Sequence, residues 1–153
     1  TGVIVRLIEY MDVGNINHWR ESDTVSSAEL RERIAERWPL RAVPSNYDGE
    51  VAMRYEYEDG AGEVGFISSV TEPFCGSCHR ARLSSDGQLF TCLFAAAGTN
   101  LREPMRDGAS DEELAGIIHK VWTRRADRYS EQRAELIKNG REIQKMEMYY
   151  IGG

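Results

Sequence analysis

Cysteine is scarce in this chain, with three in 153 residues, and all three fall between positions 75 and 92. An odd, clustered set cannot build the paired disulfide framework of small secreted domains. It fits a reducing compartment, the cytoplasm, where thiolates bind metal. Long apolar runs are missing too, so no segment reads as a bilayer span. The amino-terminal Thr1-Gly2-Val3-Ile4-Val5-Arg6 lacks the charged and apolar regions of a secretory signal. Positive charge is in deficit: a formal net charge of -6 excludes general binding to nucleic acid and to anionic membranes. No internal repeat or low-complexity linker is present. Apolar and charged fractions of 41% and 29% exclude the disordered and fibrous classes.

What is present suffices for one core with an appendage. Val3 to Met11 is nearly continuous apolar sequence rich in β-branched residues, which predicts a strand buried on both faces, as in parallel α/β sheets. Such a strand needs neighbours on both sides, so the chain is expected to be part of a larger protein. Asp12 to Ser26 reads as a loop leaving the strand's C-terminal end, the end that carries chemistry in α/β barrels. Ser26 with Glu29 predicts a capped helix presenting Leu30, Ile34 and Trp38, and Pro39 stops it. Clean alternation from Val51 to Tyr57, a turn at Asp59-Gly60-Ala61-Gly62 and a second apolar run predict a β-hairpin over 51–69. Leu101 to Gly108, with Pro104, reads as a broken segment. Ser110 with Glu113 opens a second capped helix, whose Leu114, Ile117, Ile118, Val121 and Trp122 read as core packing. Tyr129 to Lys138 reads as a further helix ended by Asn139-Gly140, and Met146 to Ile151 as a short strand.

The stretch from Pro73 to Cys92 is the informative one. Its Cys-x₂-Cys-x₁₃-Cys spacing lets three thiolates reach one metal centre, and Arg80 and Arg82 follow directly behind the second cysteine. Ser85-Asp86-Gly87 predicts a three-residue hairpin loop with glycine in the left-handed position. That loop pairs Ser84 with Gln88 and therefore sets Arg80 opposite Cys92, with both arginines and Cys92 on one face. A two-residue Asp86-Gly87 loop would send Cys92 to the other face. Zinc bound by Cys75, Cys78, Cys92 and a histidine (His79 or His119) is one reading of the spacing. An iron–sulfur cluster with three thiolates and an open iron is the other. Forked guanidinium donors beside the thiolates point to a phosphate-bearing small molecule. His18 and His119 have surface or core roles as the simpler reading, and Met11 reads as packing.

Four pieces carry a family resemblance: Arg6-Leu7-Ile8-Glu9-Tyr10-Met11, Gly65-Phe66-Ile67-Ser68-Ser69-Val70, the Pro73 to Cys92 stretch followed by Leu93-Phe94, and Gly152-Gly153. They run in the order found in the C-terminal half of the MoaA family, the GTP 3′,8-cyclases of molybdenum cofactor biosynthesis, which this chain closely resembles. The resemblance implies a radical SAM lyase with two [4Fe-4S] clusters on an incomplete (β/α)₆ barrel. The α/β class then becomes, for this chain, an α+β portion. Residues 1–45 would supply the final barrel strand, loop and helix, and 46–153 a cluster- and GTP-binding region with antiparallel hairpins and a two-glycine tail.

In that family a deoxyadenosyl radical takes hydrogen from the ribose C3′ of GTP. The C3′ radical attacks C8, giving (8S)-3′,8-cyclo-7,8-dihydroguanosine 5′-triphosphate. The resemblance assigns Cys75, Cys78 and Cys92 to the second cluster, whose open iron binds GTP. It assigns Arg80, Ala81 and Arg82 to GTP contacts, Met11 (with Arg6 beside it) to S-adenosylmethionine, and Gly152 and Gly153 to a tail needed for cyclisation. The implied partners are GTP, the N-terminal radical SAM half and a second copy in a homodimer. The family often has asparagine where this chain has His79, which leaves the ligand set intact. All three cysteines are used by the second cluster, so nothing remains for the Cys-x₃-Cys-x₂-Cys cluster that cleaves S-adenosylmethionine. The isolated chain is expected to be inactive. A non-catalytic zinc-stabilised binding module is the alternative.

Overall fold

The structure is a computed structural model describing residues 2–140 and 144–151. It is a mixed α and β chain that divides into two compact units. One comprises Thr1–Met11 with Trp19–Cys78, the other Asp12–His18 with His79–Gly153. No helix among the described residues is long and apolar enough to cross a membrane.

The first unit is built on a mixed sheet of β1 (Val5–Ile8), β2 (Leu40–Val43), β3 (Met53–Tyr57) and β4 (Glu63–Ile67), in the order β1-β4-β3-β2. The expected hairpin is β3 and β4, with Met53 opposite Phe66 and Glu56 opposite Glu63. Its inner face forms the core: Phe66 is fully buried, and the Tyr55 ring meets it edge-on at 5.6 Å. β1 runs parallel to β4, as the α/β reading requires. The double-sided burial expected of it is not found, because Val5 and Ile8 are 52% and 55% exposed. β1 stands at the sheet edge, so only β4 covers its flank among the described residues. Leu40–Val43, which the sequence pattern left unassigned, is recruited as β2 by pairing along β3, with Glu58 N–H closing onto the Pro39 carbonyl at 3.0 Å. Helix α1 (Ser27–Ala35) starts where its cap places it, with Ser26 Oγ accepting from Glu29 N–H at 3.1 Å.

The second unit carries a small antiparallel sheet, β5 (Arg82–Leu83), β6 (Gln88–Phe90) and β7 (Thr99–Asn100), in that order. Helices α2 (Arg102–Arg106), α3 (Asp111–Thr123) and α4 (Tyr129–Lys138) follow. Pro104 sits in the first turn of α2, where its missing N–H costs nothing, so the broken segment holds a short helix. The α3 capping box is complete: Ser110 Oγ accepts from Glu113 N–H at 3.2 Å, and Glu113 Oε2 accepts from Ser110 N–H at 2.8 Å. Its apolar face is less buried than expected. Leu114, Ile117 and Val121 are half-buried, whereas Ile118 and Trp122 are exposed, the latter under the Arg125 guanidinium at 5.1 Å. The core of this unit is Phe90, Phe94 and Ile151. Met146 to Ile151 is not a strand: Tyr150 and Ile151 N–H both return to the Glu147 carbonyl, a helical turn that drives Ile151 into the core.

Candidate functional site

The cysteine-bearing hairpin closes through the loop that its sequence predicts. Ser84 N–H donates to the Gln88 carbonyl and Gly87 N–H to the Ser84 carbonyl, both at 3.0 Å. Gly87 has φ +83°, and a Cβ there would lie 2.7 Å from Arg102 Cβ, so only glycine fits. Arg82 pairs with Phe90 and Leu83 with Leu89. This is the three-residue-loop register, the one that points Arg80 toward Cys92. The ladder itself ends at Arg82, and both Arg80 and Cys92 lie beyond it in irregular backbone. The expectation that they oppose each other as strand neighbours is therefore corrected: β5 is only two residues long, and the chain bends at Thr91 and Cys92 before pairing can extend. Asp86 braces the loop, accepting from Ser84 Oγ at 2.5 Å and from the Tyr150 hydroxyl at 2.6 Å. Those two bonds hold its carboxyl below the usual range.

Cys75 and Cys78 belong to the first unit, where Cys75–Ser77 forms a 3₁₀ turn and Cys78 N–H returns to the Cys75 carbonyl at 3.3 Å. One tight turn thus carries both thiols of the Cys-x₂-Cys pair. Cys92 belongs to the second unit, and its Sγ accepts from Phe94 N–H at 3.4 Å. All three are half-buried thiols. Their chemistry suits a soft-metal centre, since sulfur donors select zinc or iron–sulfur clusters and an N–H aimed at sulfur favours its thiolate. Among the described residues, no group of three or more His, Cys, Asp or Glu side chains is gathered as a metal site. Arg80 and Ala81 are exposed and Arg82 is half-buried, all in the second unit. Met11 is half-buried in the first unit; His18 adopts φ +48°, and His79 and His119 are exposed. Gly152 and Gly153 lie outside the described residues. The segment leading to them is anchored by Met146 N–H on the Ala95 carbonyl at 2.9 Å and by burial of Ile151.

Three polar clusters were not legible in the sequence. Arg6 crosses its strand partner Gly65, where a Cβ would sit 2.7 Å from Arg6 Cδ, and reaches Glu63 Oε1 at 3.2 Å. Arg54 also grips Glu63, at 3.0 and 2.5 Å. Glu9, 2% exposed, accepts from the backbone of Ser27, Val70 and Thr71 at 2.8, 2.8 and 2.9 Å and from Thr71 Oγ1 at 2.6 Å. Burial pushes its carboxyl upward, but these bonds outweigh that and hold it below the ordinary value. In the second unit Asp12, 6% exposed, accepts from Arg133 Nε and Lys145 Nζ at 2.7 Å each and from the Tyr129 hydroxyl at 2.5 Å. Burial again works upward and is outweighed, first by the Lys145 and Tyr129 hydrogen bonds and then by the Arg133 charge, so Asp12 stays ionised. Burial and Asp12 together push the Tyr129 phenol well above its usual range. Asp12 and Lys145 are far apart in the chain, so no local pattern could announce the pair.

The family model described as Molybdenum Cofactor Synthesis C matches residues 3–131, and the chain belongs to that family. Its relatives are named GTP 3′,8-cyclase. The protein of that name from Xanthomonas axonopodis pv. citri is 51% identical over 100% of this chain and 44% of its own length. The protein from Acidothermus cellulolyticus is 46% identical over 99% of this chain and 48% of its own. A Synechococcus relative is 47% identical over 99% and 42%, respectively. The chain thus spans less than half the length of the curated relatives it matches.

Proposed function

We propose that this chain is the GTP-binding, cluster-carrying portion of a GTP 3′,8-cyclase. Cys75, Cys78 and Cys92 hold a [4Fe-4S] cluster through three thiolates and leave one iron without a protein ligand. When bound, the cluster supplies a Lewis-acidic position for the purine substrate. Arg80 and Arg82 grip the triphosphate of GTP, their planar forks matching phosphate oxygens. Ala81, between them, brings backbone rather than side chain to the nucleotide. Met11 lines the S-adenosylmethionine site, and Gly152-Gly153 supply the side-chain-free tail needed for cyclisation. The final barrel strand, loop and helix come from 1–45, and the N-terminal radical SAM half completes the barrel and generates the radical.

The observation that carries this reading is the hairpin. Its three-residue loop sets Arg82 opposite Phe90, and Arg80 and Cys92 follow in irregular backbone at the open end of the same hairpin. A structural zinc staple has no use for two arginines at that place. Anaerobic reconstitution with iron and sulfide tests the metal. The proposal requires a broad visible absorption and roughly four irons per chain. Stoichiometric zinc with no colour, retained in the presence of iron, would establish the binding-module alternative instead.

A further inference from the structure

Cys92 is tied on both sides to the start of α4, through contacts that belong to neither the ligand set nor the GTP contacts proposed above. On the near side, Thr91 Oγ1 donates to Asp127 Oδ2 at 2.6 Å, and Arg125 Nε holds the same oxygen at 3.3 Å. On the far side, Phe94 is 7% exposed and stacks on Tyr129, the ring centroids 4.6 Å apart and the planes 26° from parallel. The backbone N–H of that same Phe94 is the one directed at Cys92 Sγ. The stack is capped by cations. Arg133 lies 5.3 Å from the Phe94 centroid and 5.6 Å from that of Tyr129; Lys145 lies 5.7 and 4.9 Å away. Both cations and the Tyr129 hydroxyl converge on Asp12.

One buried carboxylate therefore orients two cations and a phenol, these orient an aromatic ring, and the ring's own backbone orients a sulfur. A hydrophobic core alone does not need this. An apolar contact with Phe94 would fill the same volume without fixing the direction of its N–H. Outer partners of this kind hold metal ligands in place and set the properties of the bound group. We infer that Asp12, acting through Tyr129 and Phe94, is a positioning residue that fixes the Cys92 thiolate for metal binding. The inference rests on the reading of Cys92 as a cluster ligand.

The test compares iron retention against a chelator, and the midpoint reduction potential, in the anaerobically reconstituted chain and its variants. The variants are Asp12→Asn, Phe94→Leu and Tyr129→Phe, with Ser110→Ala as a control that weakens the α3 cap and touches none of these groups. Thermal stability is recorded for each. Asp12→Asn and Phe94→Leu should retain iron about tenfold less well or worse, as outer-shell changes do elsewhere. Their potentials should move as well. Ser110→Ala should lower stability and leave both cluster readouts at the wild-type value. Should Asp12→Asn not fold, Tyr129→Phe, which deletes one oxygen and keeps the stack, decides by the same comparison. Wild-type retention and potential in the three variants overturns the inference, as does iron loss that merely follows thermal stability in the control and variants alike. A wild-type chain that takes up no iron fails earlier and overturns the cluster reading together with what is built on it.

Discussion

Glu9 and Asp12 are buried carboxylates with the same physics in the two units, and both are held below their ordinary pKa by the bonds they accept. A depressed folded pKa contributes stability that is present above the unfolded value and is lost as pH falls through the folded one. Loss of stability on acidification should therefore begin near the ordinary glutamate value of 4.5 and continue below it, through the depressed folded value. Glu9→Gln should cost about 2 kcal/mol at neutral pH, the scale of hydrogen bonds to a charged group. The difference from wild type should shrink as the solution is acidified, and denaturant unfolding at neutral and acidic pH measures it. A constant difference would show that Glu9 acts by shape alone. Neither role is legible in the sequence: Glu9 sits inside a recognisable motif, yet its partners come from Ser27, Val70 and Thr71, remote in sequence. The role proposed for Arg80 and Arg82 rests on local sequence, two guanidinium groups directly behind Cys78. Arg80→Ala and Arg82→Ala should each weaken GTP binding about tenfold, the scale of one charge-assisted contact. Guanosine binding should hardly change. Calorimetry that finds equal losses for nucleotide and nucleoside would remove the phosphate role.

The elements divide by how local their determinants are. The hairpin loop, the starts of both Ser-capped helices and the 51–69 hairpin follow from a handful of adjacent residues, and the structure places them so; α1 ends at Ala35, short of the expected Trp38 and Pro39. Gly87 is the extreme case, needing both a left-handed backbone and room for Arg102. Gly87→Ala should cost about 1–3 kcal/mol of backbone strain and lower iron uptake on reconstitution. Unchanged iron uptake would disconnect the hairpin register from the metal. Elements set by distant partners depart from what their composition predicts. Met146 to Ile151 has strand-like composition, but Glu147 is held by Asn15 at 2.8 Å and Tyr150 by Asp86 at 2.6 Å. These bonds curl the segment into a turn. β1 has the composition of a central strand and stands at an edge, and the apolar stripe of α3 is only partly covered. In each case composition reported what a segment can bury, and the available neighbours decided how much it does bury.

At the scale of the whole molecule, the chain belongs to the Molybdenum Cofactor Synthesis C family and matches 44% of the length of its Xanthomonas relative. All three cysteines are committed to one centre in the proposed function. The isolated chain should then form no 5′-deoxyadenosine from S-adenosylmethionine under reducing conditions, even after its own cluster is rebuilt. Product above the background of a cysteine-free variant would contradict that assignment. In the proposed function the cysteine centre carries an open iron that meets the nucleotide. Electron paramagnetic resonance of the reduced, reconstituted chain, recorded with and without GTP, tests it most directly. GTP should shift the cluster spectrum, and the shift should be lost in Cys92→Ser. An unchanged spectrum at GTP concentrations that saturate binding would contradict it, leaving the nucleotide bound elsewhere and the cluster without a substrate.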